Sequence, residues 1–222
     1  MRLPYADRAE AGRVLAEALT RYDDRDDVLV LALPRGGVPV AFEVATALGA
    51  PMDLLLVRKL GVPGQEELAM GAIASGGAIV VNEDILRATG MTQLGLQYMV
   101  ARERAELHRR EQAYRGARPL PEVAGKCLLL IDDGLATGAS MRAAAAALRQ
   151  RNPGQIVVAV PVAPEETVAA FRHEVDDIVC PATPTTFYGV GQWYVDFTQV
   201  CDEEVRRLLQ QAWEREKAQS SR

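Results

Sequence analysis

The residues with the most chemical content lie between Cys127 and Met141, in C-L-L-L-I-D-D-G-L-A-T-G-A-S-M. An apolar run ends in two adjacent carboxylates, Asp132 and Asp133. A short loop with Gly134, Thr137, Gly138 and Ser140 then leads into a helical pattern. Glycines let a backbone approach a ligand closely, successive N–H groups converge on an anion, and a helix N-terminus adds its positive end. Thr137 and Ser140 add hydroxyl donors. Carboxylates beside an anion cradle suit a sugar phosphate: the acids accept from vicinal hydroxyls while the loop takes the phosphate. A ribose 5-phosphate meets both demands. No lysine sits in this loop and G-x-x-x-x-G-K-[ST] is absent, which excludes a nucleoside-triphosphate P-loop. Neither strand-to-helix turn reads G-x-G-x-x-G, which excludes the dinucleotide fingerprint. As a mere turn cap one aspartate would suffice; two followed by G-x-x-T-G-x-S are a far less ordinary combination.

Such a loop needs a buried strand before it and a helix after it. Lys126–Ile131 reads as the strand, and Ala139–Arg151 as the helix, stopped by Asn152-Pro153-Gly154. The same alternation recurs along the chain. Helical patterns are expected over 7–22, 37–48, 92–115, 164–173 and 202–217, and strands over 28–33, 53–58, 156–160 and 175–180. Gly76-Gly77 between two short apolar runs predicts a hairpin. Lys59–Met70, rich in Gly, Pro and Glu with weak periodicity, reads as a mobile loop. Strands alternating with helices imply a parallel sheet of βαβ units, with ligands at the carboxyl ends of its strands.

Composition sets the outer limits. The 222 residues are 49% hydrophobic and 25% charged, with a formal net charge of −5. That is the balance of an ordinary globular chain and a poor one for a general nucleic-acid coat protein. Cys127, Cys180 and Cys201 are scattered, without C-x-x-C spacing, so neither a disulfide framework nor a zinc site is expected. No run approaches the ~18 apolar residues of a spanning helix, and residues 1–12 show no secretory h-region. A cytoplasmic protein with no membrane contact is the expectation. The chain is expected to be a single domain over 1–222, with a core at about 26–180.

Leu128–Ser140 resembles the phosphoribosyl-pyrophosphate signature of the type I phosphoribosyltransferases, in which an apolar run precedes an acidic pair and a loop ending T-G-x-[ST]. The resemblance extends from Val28 to Phe197. It implies an α/β fold: a parallel sheet flanked by helices, with a small hood and a flexible loop. It also implies a phosphoribosyltransferase that moves a 5-phosphoribosyl group from phosphoribosyl pyrophosphate to a nitrogenous base or similar acceptor, releasing pyrophosphate. Asp132 and Asp133 would bind the ribose hydroxyls. Gly134, Leu135, Ala136, Thr137, Gly138, Ala139 and Ser140 would bind the 5-phosphate. Pro34, Arg35, Gly36 and Gly37 look like the family's pyrophosphate loop, which often contains a cis non-proline peptide, expected here at Pro34–Arg35. Lys59 in the flexible loop would join Arg35 as a catalytic cation, and Glu66 and Glu67 are candidates for handling the acceptor's proton. The hood, about 181–200 with contributions from the N-terminal region, offers Phe187, Tyr188, Trp193, Tyr194 and Asp196 to a small planar acceptor. Mg²⁺ is the implied cofactor. It would arrive with the pyrophosphate rather than in an all-protein cage, with Asp132, Asp133 and Asp196 as protein groups within its reach. Members of the family are commonly homodimers.

Two departures bear on the acceptor. The position where 6-oxopurine enzymes usually carry a catalytic aspartate is Ala136, and Val160–Pro164 lacks the lysine that reads a purine oxo group. A hypoxanthine or guanine acceptor is therefore disfavoured. The alternative function is a regulator that senses phosphoribosyl pyrophosphate and binds RNA or DNA through the arginines of segment 101–118. Glutamates interleave with those arginines, which is the pattern of a solvated, internally ion-paired helix, so nucleic acid is not an expected partner.

Overall fold

The structure, a computed structural model, describes residues 3–62 and 65–220, the side chains of 65–68 and 220 excepted. Five strands form a parallel sheet: β1 (Val28–Ala32), β2 (Met52–Leu54), β6 (Cys127–Ile131), β7 (Gln155–Ala159) and β8 (Asp177–Val179), in the order β2-β1-β6-β7-β8. β1 and β6 are buried at every position, because helices cover both faces of the sheet. Val28, Val30, Ala32, Leu129 and Ile131 face α1 (Arg8–Glu17), α2 (Gly37–Ala47) and α7 (Asp202–Ser220). Leu29, Leu31, Leu128 and Leu130 face α5 (Ala139–Arg149) and α6 (Glu165–Phe171). The strand order reverses between β1 and β6, so the loops after these two strands flank the switch point where such sheets bind ligands.

Two stretches depart from the sequence expectation. Residues 53–58 do not make one strand. β2 ends at Leu54, and the chain then enters a separate antiparallel sheet, β3 (Val57–Val62), β4 (Gln65–Ala74) and β5 (Ile79–Val81), ordered β3-β4-β5. Both pieces are apolar, and periodicity alone does not reveal a change of sheet. Residues 59–70, expected as an irregular loop, lie mostly in the β3–β4 hairpin. Register shifts at Leu60/Gly61 and Gly61/Val62 absorb the glycine that weakens the strand pattern. The β4–β5 hairpin turns at Gly76-Gly77, both at positive φ, as expected.

α3 (Glu83–Thr89) is absent from the sequence expectation, although Asn82 accepts from the amides of Asp84 and Ile85 and Gly90 ends the helix at φ 63°. That is a legible cap pair on a helix too short to show periodicity. α4 (Gln93–Arg115) is capped by Thr92 and packs Leu107 against Leu56, Leu60 and Ile73. The hood has little regular structure. Tyr5 bridges Tyr194 as a one-residue parallel pair, and Tyr5, Ala11, Val162, Ala182 and Tyr194 form its own small core.

Candidate functional site

The loop after β1 and the loop after β6 meet at the switch point, and two glycines set how closely. A Cβ on Gly36 would lie 2.7 Å from Asp133 Cγ, and one on Gly37 would lie 2.6 Å from the Ile131 carbonyl oxygen and 2.8 Å from Asp132 Cα. Gly37→Ala therefore pushes against backbone. It is expected to cost about 1–3 kcal/mol and to part the two loops; thermal melting and ligand titration of the variant read both effects. The Pro34–Arg35 peptide is cis.

Both helices that start here have glycine N-caps and no side-chain cap: Gly36 for α2 and Gly138 for α5. α1, α3 and α4, by contrast, are capped by Asp7, Asn82 and Thr92. Uncapped first-turn amides are donors left for something else to satisfy. Gly138 sits at φ 73°, and a Cβ there would meet the Phe171 ring at 2.5 Å, so conformation and space both require glycine. The rest of the 134–140 loop is pinned from outside: the Leu135 amide donates to Val162 O at 3.0 Å and Thr167 Oγ1 to Ala136 O at 2.9 Å.

Asp132 and Asp133 stand at the end of β6, and Asp132 Oδ1 accepts from the Asp133 amide at 2.9 Å. Burial pushes the Asp132 carboxyl well up, and the neighbouring Asp133 charge pushes it further. Burial also raises Asp133, against the pull of Arg8. Arg8 Nε lies 2.8 Å from Asp133 Oδ2; its guanidinium centre is 4.0 Å from the Phe197 ring centroid and it donates to Thr198 O at 2.8 Å. Nothing in the sequence around Arg8 marks it, because 125 residues separate it from its partner.

A cavity of 130 Å³ opens beside the acidic pair, lined by Pro34, Arg35, Arg58, Arg110, Tyr114, Asp132 and Ser140 among others. Arg58, rather than Lys59, shares this cavity with Arg35. Strand alternation turns Lys59 the other way, into a groove between the hairpin and α5 that Arg142 and Ala139 also line. Glu66 and Glu67 lie on β4 with side chains outside the described residues.

The hood aromatics divide. Tyr194 is buried and donates its hydroxyl to the Asp133 carbonyl, so it supports the acidic pair from beneath; burial raises its phenol. Phe187 and Trp193 stack with ring centroids 6.3 Å apart, while Tyr188 is exposed. Asp196 is exposed, accepts from the Thr198 amide at 2.9 Å, and lines a different cleft with Asp7 and Arg8. Among the described residues no group of three or more His, Cys, Asp or Glu could hold a metal ion. One or two carboxylates at the mouth of an anion cavity are the donor set of a Mg²⁺ that brings phosphate oxygens and waters with it. No described helix is long and apolar enough to cross a membrane.

The family whose sequence model matches this chain is described as "Phosphoribosyl transferase domain", over residues 5–198. A Mycobacterium tuberculosis protein named "Putative phosphoribosyl transferase Rv0571c" is 45% identical over 208 residues, 94% of this chain and 47% of that protein. A second strain of the same organism carries a relative with the same figures. The chain thus spans about half the length of the curated relatives it matches. Among solved structures, that of TT1426 from Thermus thermophilus is similar at 43% identity and a TM-score of 0.84, covering 95% of this chain and 99% of that one.

Proposed function

From the premise that this chain belongs to the phosphoribosyl transferase domain family, we propose that it transfers a 5-phosphoribosyl group from phosphoribosyl pyrophosphate to a planar nitrogenous acceptor. The observation that carries this is the acidic pair at the end of β6, set between two helix N-termini that begin with uncapped glycines. Each part of the ligand then has a counterpart. Asp132 and Asp133 accept from the ribose 2- and 3-hydroxyls, the amides and hydroxyls of 137–140 hold the 5-phosphate, and Arg35 with Arg58 faces the pyrophosphate. The bond from the anomeric carbon to the pyrophosphate oxygen breaks, the bond to the acceptor nitrogen forms, the electron pair leaves with pyrophosphate, and the proton that the acceptor nitrogen sheds passes to water. The sugar passes through an oxocarbenium-like transition state, as in glycoside cleavage.

The residues contribute position and charge. The cradle fixes the ribose relative to the acceptor, and the guanidiniums neutralise charge as it builds on the leaving oxygen. Mg²⁺, held by pyrophosphate oxygens with Asp132 or Asp133 nearby, would add a further positive charge to that leaving group. Ala136 cannot move a proton and Val160–Pro164 offers no lysine, so a 6-oxopurine acceptor stays disfavoured. A homodimer belongs to this reading too. Leu94 and Tyr98, exposed one helical turn apart on α4, are apolar side chains available to it, and light scattering at micromolar protein reads the state.

Calorimetric titration of phosphoribosyl pyrophosphate with Mg²⁺ tests the reading, with Asp133→Asn beside it. Saturable binding that the substitution weakens by about tenfold or more, together with pyrophosphate release in the presence of one of a panel of bases, is the expected result. Binding without turnover of any base would favour a sensor of the same ligand. No binding at millimolar ligand would remove the proposal.

A further inference from the structure

By sequence, segment 101–118 reads as a solvated, internally ion-paired helix, yet the C-terminal part of α4 builds one wall of the cavity that Asp132 and Ser140 also line. Leu107, Arg110 and Tyr114 all line it. Five guanidiniums gather on and beside this wall, and they share three carboxylates. Arg58 and Arg102 both pair with Glu103, at 2.7 and 2.8 Å. Arg109 and Arg110 both pair with Glu106, each at 2.8 Å. Arg35 pairs with Asp202, at 3.5 Å. Within these pairs five cations share three anions, and three of the five, Arg35, Arg58 and Arg110, line the cavity together with the single carboxylate of Asp132, in a chain whose net charge is −5. Positive charge concentrated around a cleft is how an acidic protein attracts an anion.

The individual pairs differ in how easily they exchange. Glu103 is buried and holds Arg58 in place through two contacts, Nε at 2.8 Å and Nη2 at 2.7 Å to Oε2. The Arg35–Asp202 contact is long and partly solvated, with side chains 36% and 50% exposed, the kind of pair worth little on its own. Tyr114 donates its hydroxyl to the same Asp202 at 2.6 Å. Burial first, and then Asp202, push the Tyr114 phenol up to about 12, so it stays a donor at any ordinary pH. Asp202 therefore occupies two donors, Arg35 and Tyr114, that line the cavity.

We propose that Arg110 and Tyr114 of α4 join Arg35 and Arg58 in an anion subsite for the diphosphate group of the phosphorylated sugar, and that Asp202 is the counter-ion this group displaces. The diphosphate identity rests on the phosphoribosyl reading above; the three guanidiniums and the cavity do not. An entering diphosphate offers Arg35 and Tyr114 stronger, less solvated partners than Asp202 does. Arg110 can turn to it because Arg109 still neutralises Glu106. The start of α7 and the end of α4 thereby become parts of the site rather than its surroundings.

Calorimetry on the full chain tests this with three probes: inorganic pyrophosphate, ribose 5-phosphate and phosphoribosyl pyrophosphate. Arg110→Ala is expected to weaken pyrophosphate and phosphoribosyl pyrophosphate by about tenfold and to leave ribose 5-phosphate unchanged. Arg110→Lys should recover part of that loss. Asp202→Asn, which frees Arg35, should tighten pyrophosphate binding. Arg110 is on a solvated helix face, and a melting curve verifies that its variants fold. Equal pyrophosphate affinity in Arg110→Ala and the parent chain overturns the subsite. So does an equal loss for ribose 5-phosphate, or no pyrophosphate binding by the parent chain. Arg110-dependent pyrophosphate binding without binding of either sugar phosphate would uphold the subsite and sink the phosphoribosyl reading instead.

Discussion

Asp132→Asn is expected to stabilise the unliganded protein while lowering its affinity for phosphoribosyl pyrophosphate by about a hundredfold, the loss of two charge-assisted hydrogen bonds to hydroxyls. The two effects have one cause. Asp132 is held where its carboxylate is poorly solvated and next to a second carboxylate, so its folded-state pKa is raised. A raised acid pKa means that the folded state favours the proton. The unliganded protein is then most stable while Asp132 is protonated in both states. Stability falls as pH rises from the unfolded value of about 3.9 through the raised folded value, and is level above it. Asparagine keeps the acceptor that holds the Asp133 amide and removes the charge. At neutral pH the variant should melt higher, by about 2–4 °C for each kcal/mol relieved, and the gain should vanish below about pH 4. Melting curves from pH 3 to 9 beside the titration read both halves. A variant that melts lower at pH 7, or a gain independent of pH, would contradict this account of Asp132. A strained group kept for a ligand is a familiar trade of stability for function.

How far the sequence leads can be judged from particular residues. The stretch from Leu128 to Ser140 is legible because its parts are contiguous: a strand, its carboxyl end and the following helix all lie within one short run. The loop from Pro34 to Gly37 between β1 and α2, the βαβ alternation and the C-terminal helix are legible for the same reason. What escapes is made by contacts distant in sequence. Arg8 meets Asp133 across 125 residues, and Tyr114 meets Asp202 across 88. Arg58 and Lys59 are adjacent basic residues; only the pairing of β3 with β4 decides which of the two side chains shares the cavity with Asp132. The hood aromatics are a composition signal, and composition does not distinguish Tyr194, packed beneath the acidic pair, from Tyr188, exposed to solvent. α4 reads in sequence as a solvated helix, and most of its arginines are indeed paired within it. Glu106, bridged by Arg109 and Arg110, is held down at about 2. Its role at the cavity depends on where the helix docks, which no periodicity encodes.

Besides Leu107 and the Arg58–Glu103 pair, that docking has a buried charged anchor at the end of the helix, and breaking it is the largest stability effect the structure predicts. Arg115, the last residue of α4, lies with its guanidinium buried against Asp53 of β2; the two side chains are 4% and 3% exposed. Arg115 donates from Nε and Nη2 to Asp53 Oδ1, at 3.0 and 2.7 Å, and from Nη2 to the Leu54 carbonyl at 2.9 Å. The Leu54 amide donates to the same carboxylate at 2.6 Å. A buried pair of this kind adds little over a well-packed apolar replacement, yet removing one partner strands the other as an uncompensated charge. Arg115→Met should therefore cost about 3–5 kcal/mol, or about 6–20 °C in melting temperature, while Asp53→Asn with Arg115→Met should recover much of the loss. Thermal melting of the two single variants and the double gives the coupling directly. Near-additive losses would mean that the pair does not act as a unit. The consequence for function follows from the chain order. Arg115 immediately succeeds Tyr114 and lies five residues beyond Arg110, so a loosened anchor moves the cavity wall before it unfolds the sheet. At temperatures well below its melting point, Arg115→Met should already bind pyrophosphate more weakly than the parent chain, whereas ribose 5-phosphate, for which the proposed site lies on the β6 side among residues the anchor does not touch, should bind as before.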